Sequence, residues 1–296
     1  MTLPRLVEYA GAGEEEPMVA EAEFTPDDAI QDRLRAVLAL RPLGLFSDVD
    51  GTLSAIAPTP DVAVLLPGVA DLLAQARSTF DLVAVVSGRT AADARRLVGA
   101  PGILYIGNHG LEYLSEDDET VHVRPEAEPW VRAINYVLAH LQSPLTERYP
   151  GLMIERKGVT ASIHLRGVED PQQAEDAVYQ AIVAAASPEG LRVTRGKLVV
   201  ELRPPLDVDK GVSIEGFIRT RGLRGVFYLG DDQTDIDAFQ TLRRLTSQGV
   251  CQGVAVAVRH DEAPTSLDAE ADMTLASAEA TPGFLRWLLA NTPTTL

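Results

Sequence analysis

The 296-residue chain is 46% hydrophobic and 23% charged, with 23 Gly and 19 Pro. That globular mixture excludes a disordered or fibrous protein, and the length predicts two domains or one domain with a large insertion. With 43 acidic against 26 basic side chains the net charge is −17, which argues against nucleic acid and anionic membrane as partners, and the single cysteine, Cys251, excludes an intrachain disulfide and a thiolate metal site.

Residues 1–29 carry Gly11, Gly13 and the run Glu14 to Glu16 without a sustained period, and a flexible acidic lead is expected there. No signal-peptide core and no apolar run of membrane-spanning length is present, so the expected location is cytoplasmic. Ile30, Leu34, Val37 and Leu38 then fall at helical spacing, and Leu43, Leu45 and Phe46 form an apolar run that stops at Ser47 and Asp48. A helix followed by a buried strand is predicted. Val69, Leu72, Leu73 and Ala76 mark the next helix, and the strand from Leu82 to Val86 stops at Ser87-Gly88-Arg89. A helix from Ala91 to Leu97 leads to the strand Ile103 to Ile106, which stops at Gly107-Asn108-His109-Gly110. Buried strands alternating with amphipathic helices imply a parallel sheet covered on both faces.

The period changes after Tyr113. A helix from Glu128 to Leu141 precedes strands near 152–157 and 160–166, where Ala161, Ile163 and Leu165 alternate with Ser162, His164 and Arg166. Such alternation marks a sheet with one wet face. A helix from Gln172 to Ala186 and strands near 192–194 and 198–202 complete an α+β unit. From Gly225 the buried type returns, with Val226 to Leu229 ending at Gly230-Asp231-Asp232, then Val254 to Val258 and Met273 to Leu275. The predicted fold is therefore α/β: a Rossmann-like, doubly wound parallel-sheet core over residues 30–115 and 207–296, interrupted by an α+β domain over residues 116–206. Linkers near Glu116 to Pro125 and Pro204 to Asp209 would act as hinges.

In an open parallel sheet the carboxyl ends of the strands face one crevice. Three polar clusters would meet there: Asp48-Val49-Asp50-Gly51-Thr52, Ser87-Gly88-Arg89 and Gly230 to Asp235. Up to five carboxylates, those of Asp48, Asp50, Asp231, Asp232 and Asp235, would crowd together, which calls for shared protons or a bound cation. All-oxygen ligands without Cys or an HExxH pair favour Mg²⁺. The P-loop, GxSxG and GxGxxG motifs are absent from the sequence, and an EF-hand loop counted from Asp48 lacks its Gly and Glu at the required positions. Phosphoryl transfer through an aspartate, with Mg²⁺ and a lysine to neutralise charge, is the chemistry that remains.

Over about Leu43 to Leu289 the sequence resembles the haloacid dehalogenase-like phosphatases, and among them the trehalose-6-phosphate phosphatases. The DxDGT motif stands at Asp48 to Thr52, the strand-end Ser at Ser87, the Lys at Lys210 and the GDDxTD motif at Gly230 to Asp235. The resemblance implies Asp48 as nucleophile and Asp50 as acid to the leaving alkoxide, then base to the attacking water. Gly51, Thr52, Ser87, Gly88 and Lys210 would bind the phosphoryl group. Asp48, the backbone carbonyl of Asp50 and Asp231 would hold Mg²⁺, while Asp232 and Asp235 support its waters and Lys210. The inserted domain lies between Ser87 and Lys210, the position of this family's second type of cap, and its Glu155-Arg156-Lys157, Ser162 to Arg166 and Gly196-Lys197 to Pro204 segments resemble the trehalose phosphatase cap. Arg89, His109, Glu155, Lys157, His164, Arg166 and Glu201 are the implied substrate contacts. Ile236 departs from the family's common Glu. The implied partner is a small-molecule sugar phosphate; sucrose phosphate, mannosyl-3-phosphoglycerate and a non-catalytic sensor are the alternatives. His122, His140 and His260 are read as structural.

Overall fold

The computed structural model describes residues 24–57, 59–196, 198–261 and 263–293; most of the expected acidic lead, residues 1–23, and Lys197 lie outside them. Asp27 accepts a hydrogen bond from Ile30 N at 2.9 Å and so starts α1 (Asp28–Leu38) two residues before the apolar period begins. The first crossover units follow as β1 (Leu43–Ser47), α2 (Val69–Ala76), β2 (Leu82–Val86), α3 (Ala91–Val98) and β3 (Leu104–Gly107). Two short strands, β4 (Glu112–Leu114) and β5 (Val121–Val123), precede the cap, which comprises α4 (Val131–Arg148), β6 (Met153–Arg156), β7 (Ala161–His164), α5 (Pro171–Ala186), β8 (Arg192–Gly196) and β9 (Val199–Arg203). The chain then returns through α6 (Lys210–Arg221), β10 (Gly225–Gly230), α7 (Gln233–Ser247), β11 (Gln252–Val258), α8 (Leu267–Glu270), β12 (Met273–Leu275) and α9 (Thr281–Asn291).

The large sheet has the order β12-β11-β10-β1-β2-β3-β4-β5. Its first six strands are parallel and its last two antiparallel. Every residue of β1, β2 and β10 is buried, as strands covered on both faces must be. Leu45, Val83 and Phe227 pack on one face with residues of α1, α2 and α9, while Phe46, Ala84 and Tyr228 pack on the other against α6 and α7. Residues 116–125, expected as a hinge, contain β5 instead, paired to β4 from Glu112↔Val123 to Leu114↔Val121. Tyr113 stacks on His122 with ring centroids 5.0 Å apart, which fastens this ribbon to the sheet edge.

The cap sheet has the order β6-β7-β9-β8 and is antiparallel throughout. Ile163, Val200 and Leu202 pack against Ile134, Val178 and Ile182 of the two cap helices. The opposite face places Glu155, Ser162 and Glu201 in one cross-strand row. Where cap meets core, Leu111, Ala127 and Val159 form a small apolar cluster bordered by Leu206 and Val208.

Candidate active site

Strand order reverses between β1 and β10, since the chain runs outward from β1 through β2 in one direction and from β10 through β11 in the other. That switch point opens a crevice beyond the strand ends. Asp48 follows β1 and donates its backbone N–H to Leu229 O at 2.9 Å; Asp231 follows β10. Asp209 caps α6, accepting from Val212 N at 2.7 Å, so Lys210 starts that helix against the same crevice. Only 1% of Lys210 is exposed, and its Nζ lies 2.8 Å from both Asp48 Oδ1 and Asp235 Oδ1. Burial acts against the ammonium charge, but Asp235 and Asp48 outweigh it and hold Lys210 protonated well above its ordinary range.

Burial pushes the Asp48 carboxyl up, with Lys210 opposing. Burial likewise raises Asp235, to about 7, although Lys210 draws it down. Asp235 is saturated with donors: Tyr228 OH at 2.7 Å and Lys210 Nζ at 2.8 Å on Oδ1, and the backbone N–H groups of Asp231 and Asp232 at 3.0 and 3.1 Å on Oδ2. Thr52 Oγ1 donates to Asp231 Oδ1 at 2.8 Å. Gly51 has φ +87°, and a Cβ there would clash with Asp231 Oδ2, so this position needs glycine for both conformation and approach.

Asp48, Asp231 and Asp235 are all buried and offer carboxylate oxygens within 4.8 Å of one another. With both Asp235 oxygens taken up by four donors, Asp48 and Asp231 are the carboxylates that can turn towards a hard divalent cation, and three carboxylates against one lysine leave negative charge for it to offset. The donor set fits Mg²⁺. Two of the five expected carboxylates point elsewhere. Asp232 caps α7, accepting from Thr234 N at 2.8 Å and Asp235 N at 3.1 Å, with Lys210 Nζ more distant at 3.8 Å. Asp50 is gripped by Arg89, whose Nε and Nη2 donate to its two oxygens at 2.7 and 2.6 Å. Arg89 Nη1 also donates to Pro60 O at 2.8 Å.

A cavity of about 270 Å³ sits over this floor. The core lines it with Asp48, Asp50, Ser87, Gly88, Arg89, His109, Lys210 and Asp232, and the cap with Glu155, Lys157, His164, Arg166 and Glu201. Gly51, Thr52, Asp231 and Asp235 lie beneath it. Ser87 Oγ accepts from Arg89 N at 3.1 Å, which shapes the turn after β2. Lys157 Nζ crosses from the cap to donate to Gly88 O at 3.1 Å. Glu155 Oε2 lies 2.8 Å from His164 Nε2 and 3.6 Å from Lys157 Nζ. His109 Nε2 stands 3.8 Å from Glu201 Oε1, and its buried Nδ1 has no partner among the described residues. Burial keeps His109 below its ordinary pKa, hence neutral.

Three neighbours of the site escaped the sequence reading. His260, read as structural, puts Nε2 3.0 Å from Asp231 Oδ2; it follows the end of β11, and the strand-end rule that located the other clusters reaches it too. Tyr228 orients Asp235 from within β10, a position indistinguishable in sequence from any apolar core residue. Asn108 spans core and cap, and nothing in its local sequence separates it from a turn residue.

A family model described as trehalose-phosphatase matches residues 46–278. The chain is 37% identical over 230 residues to a trehalose-phosphate phosphatase of Mycobacterium avium, which covers 76% of this chain and 56% of that protein. It is 38% identical over 224 residues to one of Mycobacterium marinum, covering 74% and 54%. The chain thus spans about half the length of the curated relatives it matches. The solved C-terminal domain of a trehalose-6-phosphate phosphatase from C. albicans superposes with a TM-score of 0.69 at 20% identity, over 90% of this chain and 99% of that one, a likeness of fold.

Proposed function

The chain belongs to the trehalose-phosphatase family, and on that premise we propose that it hydrolyses trehalose 6-phosphate to trehalose and inorganic phosphate through an aspartyl-phosphate on Asp48. The observation that carries this reading is Asp48 itself, on the floor of a cavity whose walls mix phosphate-sized cationic groups with hydroxyl-binding carboxylates. One Asp48 carboxylate oxygen attacks phosphorus, and the bond from phosphorus to the sugar oxygen breaks. Asp50 gives that oxygen its proton. A water then attacks the phosphorylated Asp48, Asp50 takes the water's proton, and phosphate leaves with the Asp48 carboxylate restored. Lys210 lies 2.8 Å from Asp48 Oδ1, placed to offset charge on the phosphoryl oxygens, and Ser87 and the Gly88 turn border the same space. Asp48 and Asp231, braced by Asp235, would hold Mg²⁺, which when bound neutralises phosphoryl charge.

The cap supports the sugar assignment. Glu155 and Glu201 share one exposed sheet face with Lys157 at its edge, and carboxylates and an ammonium are suited to a ring of hydroxyls. The cap, expected over residues 116–206, is proposed to begin after β5, which pairs into the core sheet. Phosphate release is to be measured on trehalose 6-phosphate, sucrose 6-phosphate, mannosyl-3-phosphoglycerate and glucose 6-phosphate, with magnesium and with chelator. The reading expects trehalose 6-phosphate to be preferred, chelation to abolish turnover and Mg²⁺ to restore it. Preference for another sugar phosphate would overturn the substrate, and full activity in excess chelator the cation.

A further inference from the structure

Asn108 is wholly buried at the end of β3 and turns both polar atoms of its side chain to the cap, its amide also meeting the Glu112 carboxyl of the core. Nδ2 donates to Lys157 O at 3.0 Å, and Oδ1 accepts from Thr160 Oγ1 at 2.6 Å. These two cap residues bracket the tip of the β6–β7 hairpin. Between them Val159 is buried against Leu111 and Ala127, so the tip is plugged into the core by an apolar side chain and pinned by an amide. On the core side Asn108 N donates to Arg89 O at 2.7 Å, and His109 N to Ser87 O at 3.0 Å. Lys157 Nζ closes the circuit at Gly88 O, 3.1 Å away.

Backbone conformation sharpens the point. Asn108 and His109 have φ of +50° and +56°, a left-handed pair that residues with a side chain adopt only where their surroundings impose it. Asparagine tolerates that conformation best among non-glycine residues and also brings a donor and an acceptor. Glycine would serve the turn but could not hold the hairpin.

We propose that Asn108 is a positioning residue: by fixing the hairpin tip it sets Lys157 over the Ser87-Gly88-Arg89 turn, and so ties the sugar-binding cap to the phosphoryl-binding loop. The proposal rests on the reading of Lys157 as a sugar contact. A lysine on an unanchored tip must be ordered anew with each substrate, whereas one whose backbone is already held reaches the ligand at smaller entropic cost.

The test is a double-mutant cycle of Asn108→Ala and Lys157→Ala, with kcat/KM read on trehalose 6-phosphate and on p-nitrophenyl phosphate and a thermal melt for each variant. Asn108→Ala should depress the ratio of the two kcat/KM values by roughly ten- to a hundredfold, and the double variant should be no worse than Lys157→Ala. Thr160→Val, which loses the hydroxyl donor, should depress the ratio in the same direction, and Thr160→Ser should restore it. Multiplicative losses, an equal fall on both substrates, or Thr160→Val behaving as Thr160→Ser would each overturn the proposal. If Asn108→Ala does not fold, the Thr160 pair decides alone. If Lys157→Ala discriminates but the Asn108 and Thr160 variants do not, the positioning role fails and the sugar reading stands. If Lys157→Ala shows no discrimination, the sugar reading fails and this proposal falls with it.

Discussion

Without a divalent cation, the Asp48–Asp235 cluster should add stability as the solution is acidified from neutrality towards about pH 5, against an opposing loss from His109, whose pKa burial holds below its ordinary 6.5. Asp235 is raised from 3.8 to about 7 by burial, and Asp48 is raised in the same sense. A carboxyl whose folded pKa exceeds its unfolded one binds its proton more tightly in the native state. Its stabilising contribution is complete below 3.8 and is lost as pH rises through about 7. For Asp235 the whole span is worth on the order of 4 kcal/mol, and the part between neutrality and about pH 5 about 2 kcal/mol, equivalent to roughly 4–8 °C in Tm. A cation held by the ionised cluster reverses the trend, because it competes with protons, so its stabilisation grows as pH rises. Calorimetric Tm values across this range, in chelator and in excess magnesium, give the comparison, with Asp235→Asn and Asp48→Asn expected to flatten the chelator curve. A Tm difference between the parent and Asp235→Asn in chelator that does not move in the parent's favour on acidification, or a magnesium increment that shrinks with rising pH, would refute the electrostatic account.

Asp48→Asn should keep the fold and remove turnover, because an amide cannot attack phosphorus, whereas Asp50→Asn should leave a slow enzyme or accumulate acid-stable label on Asp48 from a radiolabelled phosphoryl donor; phosphate release at the parental rate from Asp48→Asn would contradict the mechanism. Arg89→Ala should shift the rate on glycerol phosphate more than on p-nitrophenyl phosphate, since Arg89 occupies both oxygens of Asp50 and only the alkoxide needs that carboxyl's proton. An equal change on both would detach Arg89 from the acid step. Gly51→Ala should lower stability by about 1–3 kcal/mol and raise the magnesium needed for half-maximal rate, because its Cβ would displace Asp231; melting and metal titration read the two effects separately.

The buried strands were legible because a parallel sheet demands continuous apolar runs, and Leu82 to Val86 or Val226 to Leu229 satisfy that demand without context. The polar stops after them mark the crevice for the same reason. The cap sheet was legible from Ala161 to Arg166, where one wet face enforces alternation. β5 was not, because Val121-His122-Val123 is too short to show a period and sits among Asp, Glu and Thr; it is a strand through its backbone pairing with β4, where Tyr113 stacks on His122. His260 and Asn108 share a different opacity. Their partners, Asp231, Lys157 and Thr160, are distant in sequence, and a local pattern carries no information on which strand ends will meet.

Charge pairing explains why a chain of net charge −17 can still admit a phosphate monoester. Asp50 faces Arg89, Glu155 lies between Lys157 and His164, and Glu201 faces His109. Asp50 and Glu155 thus have a cationic partner, whereas Glu201 faces a His109 that burial keeps neutral and draws on the field of Lys157 and Arg203, so the walls are compensated in part. The floor differs. Asp48 and Asp235 share Lys210 alone, with Asp231 close beside them. A phosphate dianion arriving there meets more carboxylate than ammonium, in a buried site where water screens weakly. On the proposed reading, cation and substrate must therefore assist each other's binding, because each supplies the charge the other lacks. The metal requirement then belongs to affinity as well as to the chemical step.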